Sequence, residues 1–175
     1  ILIVIGGLLL IGYNVSKQEE TMTKIVKTLA HAEGVEEENL QIRDEITPKV
    51  QREMDKLMYQ IGADRVCLME VHNGKANSTA LPFRFVDCTQ ESINSGHMTV
   101  YVGEKYQNVP LGYYKIAYTL VETKFFYNSL EEIKDLDIRV YQDMKELGGK
   151  HAAGIILSSN GKNIGFLTVF YENDA

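Results

Sequence analysis

The chain has 175 residues, of which 45% are hydrophobic and 24% charged, and its formal net charge is −6. That length accommodates one domain with a real core plus an appendage, and the composition excludes wholesale disorder. The acidic balance and the scattered lysines argue against a nucleic-acid partner, which normally meets a basic face.

Residues 1–15 open on ILIVIGGLLLIGY, whose first ionisable side chain other than Tyr13 is Lys17. A spanning helix needs about 20 apolar residues. The chain begins with Ile rather than Met, so we expect an anchor helix, here the end of a transmembrane segment that continues upstream. The alternatives are a signal-peptide core and a helix packed against partner chains, where Gly6, Gly7 and Gly12 allow close approach. Lys17, Lys24 and Lys27 follow it and favour a cytoplasmic domain by the positive-inside tendency. A virion-associated location is the alternative.

Residues 16–46 read as a helical linker. Met22, Ile25, Val26 and Leu29 form one stripe, suited to pairing two chains or to packing on the domain. Gly34 and the run Glu36 to Glu38 read as a solvated break. A further helix is expected to start with Thr47 as N-cap and Pro48 in its first position, to carry the stripe Val50, Met54, Leu57, Met58 and Ile61, and to end at Gly62.

Apolar and polar positions then alternate from Val66 to His72 and again from Phe83 to Cys88, the pattern of strands with one buried face. Cys67 and Cys88 fall on these two strands. They read as buried free thiols or as a cross-strand redox pair; no CxxC pair or His/Cys spacing suggests zinc or any other metal. Met98 to Val102 is a third expected strand, Leu111 to Thr123 a helix and Lys124 to Tyr127 a short strand. A loop and capped turn follow from Ser129. Val140 to Leu147 reads as a helix ended by Gly148-Gly149. Ala152 to Ser158 and Asn163 to Tyr171 flank Asn160-Gly161, the sequence of a tight type I′ hairpin turn.

The helix running into GADRVCLMEV, the helix at YQDMKELGG and the closing HAAGIILSSNGKNIGFLTVFY, in that order, resemble the GAF domain. Ile164-Gly165-Phe166-Leu167 is similar to the pattern on its last strand. The resemblance covers residues 47–175. It implies an α+β fold, a GAF-like antiparallel sheet flanked by helices with a ligand pocket, here carrying a long N-terminal helical or transmembrane-like extension. Gly165 is expected to let a helix pack closely on the sheet. The motif of cyclic-nucleotide-binding GAF domains is absent, and the cysteines do not sit where phytochromes attach bilin or where free-methionine-sulfoxide reductases hold their loop thiols. No cofactor is therefore expected.

The polar corner after the first strand supplies the expected ligand site: His72, Asn73, Asn77, Phe83, Phe85, Glu91 and Tyr101. His72 has a reference pKa near neutrality and can contact a ligand, sense protons or clasp its own loop. Glu91 is expected to pair with His72 across the two strands. Asn73 and Asn77 suit either a ligand or the turn backbone. Phe83, Phe85, Tyr101, Tyr118, Phe125 and Phe126 are aromatic candidates for a pocket wall or a core. No nucleophile is framed for catalysis.

Three functions follow as expectations. The first is a membrane-anchored small-molecule-binding or sensory module without catalytic activity, homo-oligomeric through its proximal helix. Its partners would be an unidentified small ligand and, through residues 1–15, a lipid bilayer or partner helices. The second is a structural assembly protein of a phage virion or membrane complex. The third is a redox enzyme using its cysteines. With no output domain after Ala175, the expectation is that no conventional signalling enzyme is encoded.

Overall fold

The computed structural model describes residues 36–76, 82–94, 102–159 and 161–172. The chain forms two compact units, residues 1–62 and 63–175. The expected anchor over 1–15 and the helix stripe from Met22 to Leu29 lie outside the described residues. Among the described residues, no helix is long and apolar enough to cross a membrane.

In the first unit the described element is α1 (Glu36–Ile61), a helix of 26 residues that passes through Pro48. The helix expected to begin at Pro48 thus starts twelve positions earlier, at Glu36. Glu36 to Glu38, read from sequence as a break, form its first turn. Pro48 removes the backbone donor that would face the Asp44 carbonyl; one position earlier the Thr47 hydroxyl donates to the Arg43 carbonyl at 2.8 Å. Val50, Met54 and Met58 are buried along the stripe, a gain large enough to offset an interior proline. Gly62 ends the helix at φ +64°, the left-handed cap that its sequence position implied.

The second unit contains β1 (Arg65–Ala76), β2 (Pro82–Ile93), α2 (Val102–Lys105), β3 (Val109–Pro110), a 3-10 turn (Leu111–Tyr113), α3 (Lys115–Thr123), β4 (Phe125–Ser129), α4 (Leu130–Leu136), α5 (Ile138–Glu146), β5 (His151–Ser159) and β6 (Lys162–Tyr171). The strands form one six-stranded antiparallel sheet in the order β3-β2-β1-β6-β5-β4. β1 and β6, far apart in sequence, are direct neighbours, with Leu68 opposite Leu167. The closing hairpin turns at Gly161, φ +76°, with Ser159 opposite Lys162.

Three local expectations are corrected. Of the strand expected at Met98 to Val102, only Val102 lies within the described residues, and it opens α2. The single helix expected from Leu111 is a 3-10 turn followed by α3. The capped turn at Ser129 develops into α4, because Ser129 and Glu132 form a reciprocal capping box. Gly165 also acts differently from expectation. A Cβ there would stand 2.2 Å from the Met69 carbonyl oxygen, so the glycine admits the backbone of β1 rather than a helix.

Pairing register assigns the two faces of the sheet. Met69 opposite Phe166, Cys67 opposite Thr168 and Ala152 opposite Phe170 lie on one face. The opposite face, expected from the alternation to meet water, also buries Val66, Leu68, Leu157 and Leu167, and the first, inner face carries two buried clusters. One contains Cys67, Met69, Val86, Cys88, Val102, Leu111, Ala117 and Leu147. The other contains Ile116, Ile133, Met144 and Ala152. Gly154 belongs to this face too, and the Phe126 ring occupies the space that a side chain there would need.

Candidate functional site: an apolar cavity under the inner face

The helices and turns that follow β2 do not close completely on the sheet. A cavity of about 60 Å³ for the centres of water-sized molecules remains between them. The sheet contributes Met69, Val86, Phe126, Ala152, Phe166, Thr168 and Phe170 to its wall. Val102, Tyr106 and Leu111 come from α2 and the turns after it, Tyr114 from the N-cap of α3, Ile116, Ala117 and Leu120 from α3 itself, and Val140 from α5. Among the described residues, no charged side chain lines the cavity. One water occupies roughly 10–15 Å³ on this measure and needs polar partners, so such a space favours a small apolar guest over ordered water.

Two devices hold the helical wall in place. Asp137 is buried and is the N-cap of α5, accepting from the Arg139 and Val140 amides at 3.1 and 3.3 Å. Its other oxygen accepts from the Ile116 amide at 3.1 Å, so one carboxylate caps α3 as well. The second device is Glu91, which accepts from the Val102 amide at 3.1 Å and the Gly103 amide at 3.2 Å. Glu91 also pairs with Arg65 of β1, and both side chains are buried.

Two of the lining tyrosines also belong to a polar corner built on Asp143, a residue outside the cavity wall. The Tyr106 hydroxyl donates to Asp143 Oδ2, and the Tyr114 hydroxyl donates to the same oxygen at 3.3 Å. Lys105 Nζ lies 2.7 Å from Asp143 Oδ1 and also binds Glu146. Burial, with the neighbouring Asp143 carboxylate, pushes the Tyr106 phenol far above its ordinary range, and the same causes raise Tyr114.

The residues expected from sequence to form the site are dispersed. His72 pairs with Asp87, Nε2 to Oδ2 at 3.3 Å, and stacks on Phe85 at 6.0 Å. This group lies on the outer face, because His72 is opposite Phe85 and Glu70 is opposite Asp87, out of phase with Met69 and Val86. Asn73 is exposed opposite Arg84. Phe83 falls within β2. Asn77 and Tyr101 lie outside the described residues. Glu91 is on the inner face, away from His72.

The reason is a β-bulge. Leu68 pairs with Gln90 but Met69 pairs with Cys88, so Thr89 is an extra residue in β2. The bulge reverses the side-chain alternation. Without it Glu91 would share a face with Phe85 and Asp87. With it, Asp87 meets His72 and Glu91 meets Arg65.

Phe126 is the sequence-singled aromatic that lines the cavity; Tyr118 is exposed. The sequence reading missed Tyr106, Tyr114, Phe166 and Phe170. The alternation Phe166, Thr168, Phe170 on the last strand was the available signal. Both cysteines are free and buried. Burial and the adjoining Cys88 raise the Cys67 thiol well above its usual value, which disfavours the reactive thiolate.

No protein-family model matches the chain, and no curated protein does. Among solved structures it is similar to the phycocyanobilin-bound GAF domain of a cyanobacterial phytochrome, at 13% identity and a TM-score of 0.56, covering 90% of this chain and 81% of that one. A Staphylococcus aureus NreA protein mutated in its nitrate binding site is similar at 11% identity and a TM-score of 0.55, covering 75% and 88%. The phycoerythrobilin-bound GAF domain of a cyanobacterial phytochrome gives 11%, 0.52, 90% and 82%. At these identities the likeness is one of fold. The second unit is a GAF-like domain.

Proposed function

We propose that this GAF-like domain is a sensory module that binds a small, largely apolar molecule between its sheet and helices, and that it catalyses no reaction. The observation that carries the reading is the cavity itself: space bounded by Met69, Phe166 and Phe170 on one side and α3 on the other, with no charged residue among the described residues of its wall. Similar folds hold a bilin in one case and have a nitrate binding site in another, which supports ligand binding as the use of such a space. Glu91 enters this reading as a positioning residue, because it fixes the amides of Val102 and Gly103 while Val102 lines the cavity. Protein-observed NMR titration with small apolar compounds tests it. Saturable shifts centred on Met69, Val86 and Leu120 are expected, and a compound panel that leaves those signals unmoved refutes the reading.

On sequence grounds we extend the proposal to a tethered, homo-oligomeric protein, with residues 1–15 meeting a bilayer or partner helices. Flotation of the full chain with lipid vesicles checks this part: a chain that stays at the bottom of the gradient and sediments as a monomer removes it.

A further inference from the structure

We propose that the cavity takes a small hydrocarbon-like molecule without any hydrogen-bonding group, and that it discriminates against polar molecules of the same size and shape. This selectivity rests on the cavity being the ligand site and adds the chemistry of the guest. A buried polar guest needs partners for its donors and acceptors, and the polar groups of this wall are directed elsewhere. Tyr106 and Tyr114 border the cavity, but both hydroxyls donate to Asp143, which lies outside its wall. The starts of helices commonly leave amides free for a polar ligand. Here the chain's own carboxylates take two that border the cavity. Glu91 accepts from the Val102 amide at 3.1 Å, and Asp137 accepts from the Ile116 amide at 3.1 Å. Between these helices the Tyr106 amide donates to the Val102 carbonyl at 3.0 Å and the Tyr114 amide to the Leu111 carbonyl at 3.1 Å. The Tyr106 carbonyl accepts from the Cys88 amide at 2.8 Å. On the sheet side, Met69, Val86, Phe166 and Thr168 each have a paired strand on both flanks, so their main-chain groups lie in the ladders. The Thr168 side chain supplies the remaining lining hydroxyl.

A hydrocarbon leaves no hydrogen bond behind in water, and its transfer into such a wall is favourable. An ether oxygen or a ring N–H of the same shape leaves its water partners behind and meets at most the Thr168 hydroxyl. Size limits the guest as well. The cavity, at about 60 Å³, is smaller than the ~150 Å³ engineered cavity that accepts benzene. Five-membered rings are accordingly the apt probes.

Cyclopentane, tetrahydrofuran and pyrrole share a ring size and differ in polarity: no polar group, one acceptor, one donor. NMR titration of the full chain with each separates the outcomes. Cyclopentane is expected to give saturable shifts at Met69 and Val86. It should bind at least about 5-fold more tightly than either polar ring, the lower end of the penalty for burying an unpaired polar group. Thr168→Val keeps the side-chain shape and removes the remaining hydroxyl. It should leave cyclopentane binding in place and weaken neither polar ring further. A polar ring that binds the unaltered protein within that factor of cyclopentane, or that loses affinity on Thr168→Val, overturns the selectivity while leaving the ligand site standing. Silence from all three rings would instead remove the cavity as a ligand site, and the selectivity with it.

Discussion

Strands β1 and β2 are joined by two acid–base pairs, one on each face, and the contrast between them shows what the sheet protects. Arg65 and Glu91, with side chains 3% and 8% exposed, face inward, and Glu91 also caps α2. His72 and Asp87, at 39% and 24%, face outward. Both pairs bring a carboxylate to a nitrogen base across the same two strands. Solvent makes them different. The inner pair was taken out of water and must stay complete, since a lone buried charge is strongly destabilising. The outer pair keeps its hydration and contributes little. The wall of the cavity therefore depends on the pair that the sequence advertises less.

The largest test of that contrast is Glu91→Ala. It takes the carboxylate away from the Arg65 guanidinium and from two amides of α2, and should cost roughly 3–5 kcal/mol by chemical denaturation, with loss of cavity ligand binding. Glu91→Gln keeps an acceptor for the amides and should cost less than Glu91→Ala. Equal, small losses for both would mean that the pair does not hold the wall. Gly165→Ala should follow, at about 1–3 kcal/mol, because its Cβ would press on the Met69 carbonyl where β6 lies against β1. A neutral result would show that β1 and β6 separate more easily than their register implies.

Alkaline pH sharpens the same contrast. Burial and then Asp143 raise Tyr106, and burial first raises Tyr171 to about 12. A folded value above the unfolded one means that the contribution of these phenols is complete below the unfolded value of about 10 and declines as pH rises beyond it. Each such group should remove about 1.4 kcal/mol per pH unit across its own window. Tyr106→Phe should flatten this limb in pH-dependent unfolding; an unchanged slope would show that the phenol does not report on the fold. The smallest effect is expected for His72→Ala, within about 1 kcal/mol and diminishing with salt. A loss comparable to Glu91→Ala would erase the distinction between the faces.

How much of this was legible depends on whether the signal is local. Gly62 at the end of α1, the Asn160-Gly161 connection and the alternation of β1 are written in neighbouring residues, because caps, turns and strand faces are set over a few positions. The length of α1 was not legible. Pro48 looks like a helix start, and only the burial of Val50, Met54 and Met58 outweighs that local preference. Asp137 caps α5 in the structure, and nothing in the sequence announces that it also caps α3 from 21 residues away.

Strands β1, β2, β4, β5 and β6, the hairpin and the GAF-like order of elements were determined by sequence, since each follows from the periodicity of apolar residues and from turn chemistry; β3, two residues long, was not. Tertiary structure decided which face holds the cavity and which residues border it. A single extra residue, Thr89, turns Glu91 inward and leaves Asp87 to His72. The corner of Tyr106, Tyr114 and Asp143 joins residues up to 37 positions apart. Alternation counts residues and cannot register a bulge, and such a corner exists only once the helices are packed on the sheet.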